Sequence, residues 1–175
     1  MTTIVTQSCG NNSIGMSGSY EAYGFALTDA AFFNATLTQT TVRFISDSGS
    51  QSATIGCNVY DDTGSLIGSF DTSQSVTFNA ATSTELTFNG STALGSAGGY
   101  IMFTYDNTNL RIIVGDSTIS SPCSPTETSM LTSRITNSGT VTTLSNNYTT
   151  GTVSYGGGSS SAGTRLPPPP AFVRI

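Results

Sequence analysis

Apolar and polar residues alternate with a period of two along most of the chain, and no segment of eleven or more residues shows the helical period of 3.6. The alternating runs end at clusters of Asp, Asn, Gly and Ser, which favour turns. The pattern predicts an all-β chain, in which residues 29–33 are the only helical candidate and would form one turn at most. We expect strands at residues 20–27, 40–46, 53–60, 66–70, 75–78, 84–88, 100–105, 110–115, 129–135, 141–144 and 152–155.

Two pairs of neighbouring runs predict β-hairpins. The first spans residues 53–70 around a turn at 61–64, and the second spans residues 100–114 around a turn at 106–109. The second pair is apolar almost throughout. That predicts strands buried on both faces, either by a second sheet or by a neighbouring subunit.

Many short strands, separated by turns at intervals of roughly 8 to 12 residues, are typical of a sandwich or a barrel. We expect residues 1–155 to form one domain, a two-sheet antiparallel β-sandwich. The chain length suits one domain with a single core. The pattern does not give the strand order, nor whether Ile4 and Val5 form a paired strand at the start.

Residues 156–175 depart from the alternating pattern. Residues 156–163 are Gly, Ser and Ala, the composition of a flexible linker, and the four prolines that follow favour a stiff spacer of about 12 Å. We expect this tail to be an arm that docks on a neighbouring subunit; the alternatives are a terminal strand that folds back on its own sheet, or a disordered end. The arm residues are Leu166, Pro167, Pro168, Pro169, Pro170, Ala171, Phe172, Val173 and Ile175.

The composition excludes most classes of enzymatic mechanism. The chain has no lysine, histidine or tryptophan, and charged residues make up 9% against about 25% in an average protein. Histidine is the commonest general base and lysine forms Schiff bases, so both routes are closed. No nucleotide-binding or nucleophile-elbow motif occurs, and a pair of carboxylates for glycoside hydrolysis is recognisable only in space. We expect no enzyme and no cofactor.

The charges also limit the partners. The net charge is −5, and the five arginines are scattered along the chain. Binding of nucleic acid or of an anionic membrane surface needs clustered cations, so we expect neither partner. No run of about 18 apolar residues occurs, so we expect no membrane insertion. The start of the chain has neither the basic nor the apolar region of a secretion signal.

Three cysteines allow one disulfide and one free thiol. Cys57 lies in an apolar strand and is interpreted as a small core residue. Cys9 and Cys123 lie in loop-like surroundings and are a possible disulfide, although sequence alone does not choose the pair. Without histidine or a CxxC pair, a zinc site is not expected.

The densest acidic cluster is Asp61 and Asp62, with Asp71 after the next strand. A calcium loop would place acidic residues at alternate positions, and that spacing is absent. We interpret these aspartates as turn-forming residues, because the Asp side chain accepts hydrogen bonds from nearby backbone groups.

Tyrosines lie at strand ends or beside turns. This position is compatible with sugar binding, but also with subunit interfaces and half-buried sheet rims, and the absence of tryptophan disfavours a sugar site. The tyrosines concerned are Tyr20, Tyr23, Tyr60, Tyr105, Tyr148 and Tyr155.

The strand-and-turn pattern of residues 40–105 resembles jelly-roll-type β-sandwich modules of virion decoration, fibre and spike subunits and of extracellular anchored proteins. The resemblance rests on residues 41–45, 53–67, 84–88 and 99–105. It implies a jelly-roll-like fold and a virion or extracellular setting, and it transfers no site residues. The lack of a signal and of a sorting tail departs from the anchored bacterial proteins and favours the viral branch.

These observations predict a non-enzymatic structural subunit of a virion: an outer decoration, fibre or minor capsid protein at the virion surface. We expect it to bind itself, as a homo-oligomer, and other structural subunits of the same assembly, through β-sheet edges and the C-terminal arm. One alternative is the repeating subunit of an extracellular filament or pilus that assembles by strand donation. The other is a carbohydrate-binding or adhesive module that recognises surface glycans.

Overall fold

The computed structural model describes residues 2–7, 12–116, 131–149 and 151–157. These residues form strands and a single 3-10 turn, Ala30–Phe32. The strands are β1 (Thr2–Gln7), β2 (Asn12–Gly15), β3 (Tyr20–Leu27), β4 (Ala35–Ser46), β5 (Ser50–Asp61), β6 (Leu66–Asn79), β7 (Thr84–Ala93), β8 (Gly99–Tyr105), β9 (Leu110–Asp116), β10 (Leu131–Thr136), β11 (Val141–Thr149) and β12 (Gly151–Gly157).

The all-β prediction is confirmed, and the helical candidate is indeed a single turn. β3 has the predicted bounds, whereas β4 and β5 begin earlier than predicted. The two strands predicted at 66–70 and 75–78 are one strand, β6, because the residues between them keep pairing with β5 across a bulge. β1 and β2 were not among the predicted strands.

All strand pairs are antiparallel, and they join into one sheet of 12 strands. The order is β1-β12-β4-β9-β11-β10-β3-β8-β5-β6, with β2 beside β9 and β7 beside β4. The predicted division into two separate sheets is not seen, because β9 pairs with both β4 and β11 and thereby joins the two halves. The sheet is not closed: β1 and β6 lie at the two ends of this order.

One predicted hairpin is confirmed and the other is wrong. β5 and β6 pair around the turn at 61–64, with Cys57 opposite Phe70. β8 and β9 do not pair with each other, because β8 has β3 on one side and β5 on the other. With both sides of β8 occupied, the turn at 106–109 leads the chain to β4, where Leu110 lies opposite Ser46.

The sheet curls so that its inner face encloses an aromatic core. Phe44 of β4 and Phe103 of β8 are well separated in strand order, yet their ring centroids are 6.0 Å apart. Phe103 also lies 5.7 Å from Phe88 of β7, and Phe44 lies 6.0 Å from Phe78 of β6. All four side chains are fully buried, so contacts between distant strands hold the curled sheet together.

β8 is buried on both faces, as its apolar sequence predicts. Ile101 and Phe103 belong to the main core, whereas Met102 belongs to a second apolar cluster on the other face. That second cluster contains Ile135 of β10, and Val141 of β11 packs against it. The cover therefore comes from the β10–β11 hairpin of the same chain, so burial of β8 does not require a neighbouring subunit.

Side chains bridge β6 and β7 where no backbone ladder joins these two described strands. The Asn89 amide N–H donates a 2.6 Å hydrogen bond to the Asp71 carboxylate, and the Gln74 side-chain amide donates a 2.7 Å bond to the Thr87 carbonyl. Asp71 has a positive φ of 34°, which non-glycine residues rarely adopt. The two strands are thus held side by side, although the sheet stays open between them.

Candidate functional site

The predicted C-terminal arm, from Leu166 to Ile175, lies outside the described residues, and so do Cys9 and Cys123. β12 continues to Gly157, two residues past the predicted domain boundary. Its residue Gly156 lies opposite Thr2 of β1. The chain therefore enters the predicted arm from a point beside the end strand of the sheet.

Large apolar side chains are exposed on the two end strands. Among the described side chains these are Ile4 of β1, 64% exposed, and Leu66 and Ile67 of β6, 58% and 40% exposed. Among the described strands, β1 pairs only with β12, and β6 pairs by backbone ladder only with β5. β1 therefore combines an outer edge without a described neighbour with exposed apolar surface, which favours pairing with another strand. β6 lies beside β7 at residues 71–74, so only its start, with Leu66 and Ile67, offers the same combination.

β1 lacks the features that usually protect an edge strand. Natural proteins block free edges with charged side chains, prolines or bulges. Residues 2–7 contain no charge and no proline, and their pairing with β12 runs without a register shift. The outer edge of β1 is therefore a regular, uncharged strand edge.

The start of β6 is apolar on both of its faces. Leu66 and Ile67 are adjacent, and adjacent residues in a strand point to opposite faces. Both are nevertheless exposed, so neither face of the sheet covers the start of β6.

The turn at this tip is organised by Asp61. Its carboxylate accepts hydrogen bonds from the Thr63 backbone N–H at 2.9 Å, the Thr63 hydroxyl at 2.6 Å and the Ser65 backbone N–H at 2.9 Å. These bonds lower the pKa of Asp61, with the Thr63 hydroxyl as the main cause. Asp71 instead bonds to Asn89. No three His, Cys, Asp or Glu side chains in the described ranges lie close enough together to hold a metal ion.

We expect Asp61→Ala to lower the urea midpoint of unfolding at neutral pH, because the turn loses these bonds. The pKa of Asp61 is lower in the folded than in the unfolded chain, so its carboxylate stabilises the fold above the ordinary value of 3.8. This contribution is lost as the pH falls below 3.8 through the folded pKa, and the difference from wild type should shrink there. Asp62→Ala removes the same charge from the exposed neighbouring position and should have the smaller effect. An Asp61→Ala effect that does not depend on pH would contradict this account.

Cys57 is a core residue, as predicted: it is 2% exposed and packs in the main cluster. Burial raises the pKa of its thiol, and the charge of Asp71 adds to the shift. A buried, protonated thiol is a weak nucleophile, so Cys57 is a structural residue.

All seven tyrosines are described, and none is exposed. Tyr23, Tyr60 and Tyr155 are buried and the other four are half-buried. The chain therefore has no exposed tyrosine platform of the kind that the carbohydrate-binding alternative predicts.

Three of these tyrosines cluster at one end of the core. The Tyr23 ring lies 5.5 Å from Tyr20 and 5.9 Å from Tyr105, centre to centre. The Tyr105 hydroxyl lies within hydrogen-bond distance of two backbone carbonyls, 2.7 Å from Ser17 and 2.6 Å from Tyr20. The turn that leads into β3 is thereby fixed against the cluster.

A β-bulge brings Tyr20 and Tyr23 to the same face of the sheet. Two consecutive residues of β10 pair with Ala22 and then with Tyr20, so Glu21 is an extra residue on β3. In a regular strand, residues three positions apart point to opposite faces. The extra residue reverses the alternation, which is one way in which bulges re-aim side chains.

Arg134 of β10 completes this cluster. It lies opposite Tyr23, and its guanidinium carbon is 4.3 Å from the centre of the Tyr20 ring. This is the geometry of a cation–π contact. Within the described part of the chain, the buried Nε of Arg134 has no hydrogen-bond partner. Burial raises the pKa of Tyr23, and the positive charge of Arg134 opposes that shift.

Sequence analysis did not find this Tyr–Arg cluster, which consists of Tyr20, Tyr23, Tyr105 and Arg134. Arg134 is one of five scattered arginines, so its position carries no signal of its own. The spacing of Tyr20 and Tyr23 places them on opposite faces unless the bulge is known. Only the pairing of β3 with β10 brings Arg134 to Tyr20 and Tyr23.

No protein-family model matches the chain, no curated protein matches it, and no solved structure matches it. In the ranges that the structure describes, no helix is long and apolar enough to cross a membrane. The basis for a functional proposal is therefore the arrangement of this chain's own strands and side chains.

Proposed function

We propose that the protein is a non-enzymatic structural subunit that assembles with copies of itself through the free edges of its sheet. The observation that carries this proposal is the position of the exposed apolar residues. Among described side chains, the large apolar ones that are exposed, Ile4, Leu66 and Ile67, all lie on the two end strands β1 and β6. Strand addition at such an edge gives affinity through backbone hydrogen bonds and specificity through alternate side chains.

The low charge of the surface supports the same proposal. Like charges across an interface cost free energy, and 9% charged residues leave few of them. Arg43 is neutralised by Glu85 at 3.0 Å and Arg111 by Asp47 at 2.9 Å. Residues 2–7 and 66–70 contain no charged residue, so strands that meet at these two segments bring no like charges into contact.

The proposed setting is the surface of a virion, with the subunit as an outer decoration, fibre or minor capsid protein that also contacts other structural subunits. The support is the resemblance of residues 40–105 to jelly-roll-type modules of such subunits, with the two-sheet, jelly-roll-like arrangement as part of the proposal. The C-terminal arm is proposed to reach a neighbouring subunit. It starts beside β1, since β12 ends at Gly157 next to that strand.

Size-exclusion chromatography with light scattering tests the proposal. We expect the full chain to be an oligomer, and the chain that ends at Gly163 to be a folded species of lower mass. Ile4→Lys and Leu66→Lys each put a charge on an exposed apolar edge position and should lower the mass of the full chain. Thr38→Lys is the matched control, because Thr38 is exposed on β4, which has β7 and β12 as neighbours.

The outcomes separate the parts of the proposal. If the full chain is a monomer at all accessible concentrations, self-assembly is wrong. If the mass falls equally with Thr38→Lys, the added charge and not the edge position is responsible, and the edge interpretation fails. If the truncated chain keeps the full oligomeric mass, the edges assemble without the arm.

One observation favours the filament alternative. β1 is the first of the described strands and pairs with β12 alone among them, so it is a strand that one copy could donate to another. A chain that begins at residue 12, mixed with a synthetic peptide of residues 2–7, tests this alternative. Saturable binding of the peptide, with loss of oligomers in the shortened chain, would favour strand donation over edge-to-edge addition.

A further inference from the structure

We propose that Arg134, held by Tyr20 and Tyr23, is a binding site for the carboxylate group of a small ligand. This inference goes beyond the structural role proposed above and does not depend on it. The guanidinium group lies against an aromatic ring and has no described carboxylate beside it.

Arg134 differs from the other described arginines. Arg43 and Arg111 each form an ion pair with a carboxylate, at 3.0 Å and 2.9 Å. In the described ranges no carboxylate pairs with Arg134, although the chain carries ten acidic residues. In a chain with a net charge of −5, an arginine without a carboxylate partner is unexpected.

Glu21 on the neighbouring strand β3 does not form an ion pair with Arg134, and the bulge accounts for this. Glu21 is the extra residue between Tyr20 and Ala22, and the bulge turns it away from the inner face on which Tyr20 and Tyr23 lie. Glu21 is exposed, whereas Tyr20 and Tyr23 pack with the main core. The bulge that places Tyr20 beside Arg134 thus also keeps the Glu21 carboxylate away from the guanidinium group.

The guanidinium group is held in place before any ligand binds. It lies on the Tyr20 ring at 4.3 Å, and Tyr20 is fixed in turn by its edge-to-face contact with Tyr23. The Asn137 side-chain amide donates a 3.0 Å bond to the Gly18 carbonyl, which fixes the adjoining turn. A positioned group loses little conformational freedom when it binds, which favours affinity.

The donors of Arg134 fit a carboxylate. A guanidinium group presents parallel N–H donors that match the two oxygens of a carboxylate, and a single arginine balances a single negative charge. The Nε donor is unsatisfied in the described surroundings, which is costly for a buried polar atom. Arg134 as a whole is half-buried, so part of its side chain remains accessible from solvent.

The test is a titration of the ¹⁵N-labelled full chain, followed through the side-chain Nε–H signals of its arginines. The Arg134 signal is assigned by its loss in Arg134→Lys. The probes are acetate and glucuronate, with glucose as the neutral control, all at constant ionic strength. We expect saturable movement of the Arg134 signal with both carboxylates, no movement with glucose, and no saturable movement of the Arg43 and Arg111 signals.

Two variants, Arg134→Lys and Arg43→Lys, test how far the affinity for a carboxylate depends on Arg134. Arg134→Lys keeps the charge but loses the paired donors and the stacking, and should weaken carboxylate binding about tenfold, measured through the backbone signals of Tyr20 and Tyr23. Arg43→Lys is the matched control and should leave the affinity unchanged. If Arg134→Lys does not fold, the Arg134 signal is assigned in the wild type through its through-space contacts with the Tyr20 ring, and the wild-type titration then decides.

Several outcomes would overturn the proposal. These are a lack of saturation, equal shifts of all arginine signals, or equal binding of glucose. The proposal is also wrong if Glu127→Gln moves the Arg134 signal, because the partner would then be a carboxylate of the chain itself. Saturation by glucuronate at much lower concentration than by acetate identifies the ligand as an acidic sugar, whereas similar concentrations show that the carboxylate group alone is recognised.

Discussion

Phe103→Ala is expected to lower the free energy of unfolding by about 3 to 5 kcal/mol, the usual cost of removing a large buried aromatic side chain. Phe103 is fully buried and contacts three other rings, with centroids 5.8 Å away for Phe25, 6.0 Å for Phe44 and 5.7 Å for Phe88. These rings come from β3, β4 and β7. Because several distant strands meet at the Phe103 side chain, a shift of one strand cannot close the cavity that Phe103→Ala would leave.

Urea denaturation followed by circular dichroism measures this effect. Leu66→Ala is the control, since Leu66 is 58% exposed and its truncation should change the free energy of unfolding by about 0.5 kcal/mol or less. Equal losses for the two variants would show that Phe103 is not the centre of the core.

Gly24→Ala is expected to destabilise the fold by about 3 kcal/mol, at the upper end of the usual cost of overpacking. Gly24 lies in β3 between Ser133 of β10 and Met102 of β8. A Cβ atom at this position would overlap the backbone carbonyl of Ile101. Backbone atoms in a paired strand cannot move aside as a flexible side chain can, so the ladder between β3 and β8 must open.

The comparison is Gly15→Ala, which adds the same methyl group to strand β2. The nearest atom to that new Cβ is Nη1 of the Arg111 side chain at 3.5 Å, an ordinary contact. We expect a change in the free energy of unfolding of less than about 0.5 kcal/mol for Gly15→Ala. A Gly24→Ala variant as stable as Gly15→Ala would mean that β3 and β8 do not approach as closely as the structure shows.

The strands themselves were largely predictable, because burial of one face imposes a period of two on the sequence. β3 has its predicted bounds, and the Asp61 turn follows from the ability of Asp to bond to its own backbone. β1 and β2 were missed because their few apolar residues, such as Ile4 and Ile14, are too isolated to establish alternation.

The neighbours of each strand were less predictable than the strands. Alternation reports which side chains are buried, but not which strand supplies the partner backbone. The run at 100–114 has the sequence of a hairpin, yet β8 is already paired on both sides. The Tyr–Arg cluster was not predictable from alternation either. It depends on the extra residue Glu21, which places Tyr20 on the same face of the sheet as Tyr23.

β12 lies between β1 and β4, and this position governs when the fold can be completed during synthesis. β1 emerges from the ribosome before the other described strands, whereas its pairing partner β12 emerges after them. The two strands pair with Gly156 opposite Thr2. Until β12 emerges, residues 35–42 of β4 have one unfilled side, which β12 will later occupy. A nascent chain therefore presents an open strand edge to other chains. The β12 of a fully synthesised copy that has not yet folded fits that edge, whereas in a folded copy β12 is already paired with β1 and β4. Slow or interrupted translation should thus produce mispaired chains before any native subunit exists.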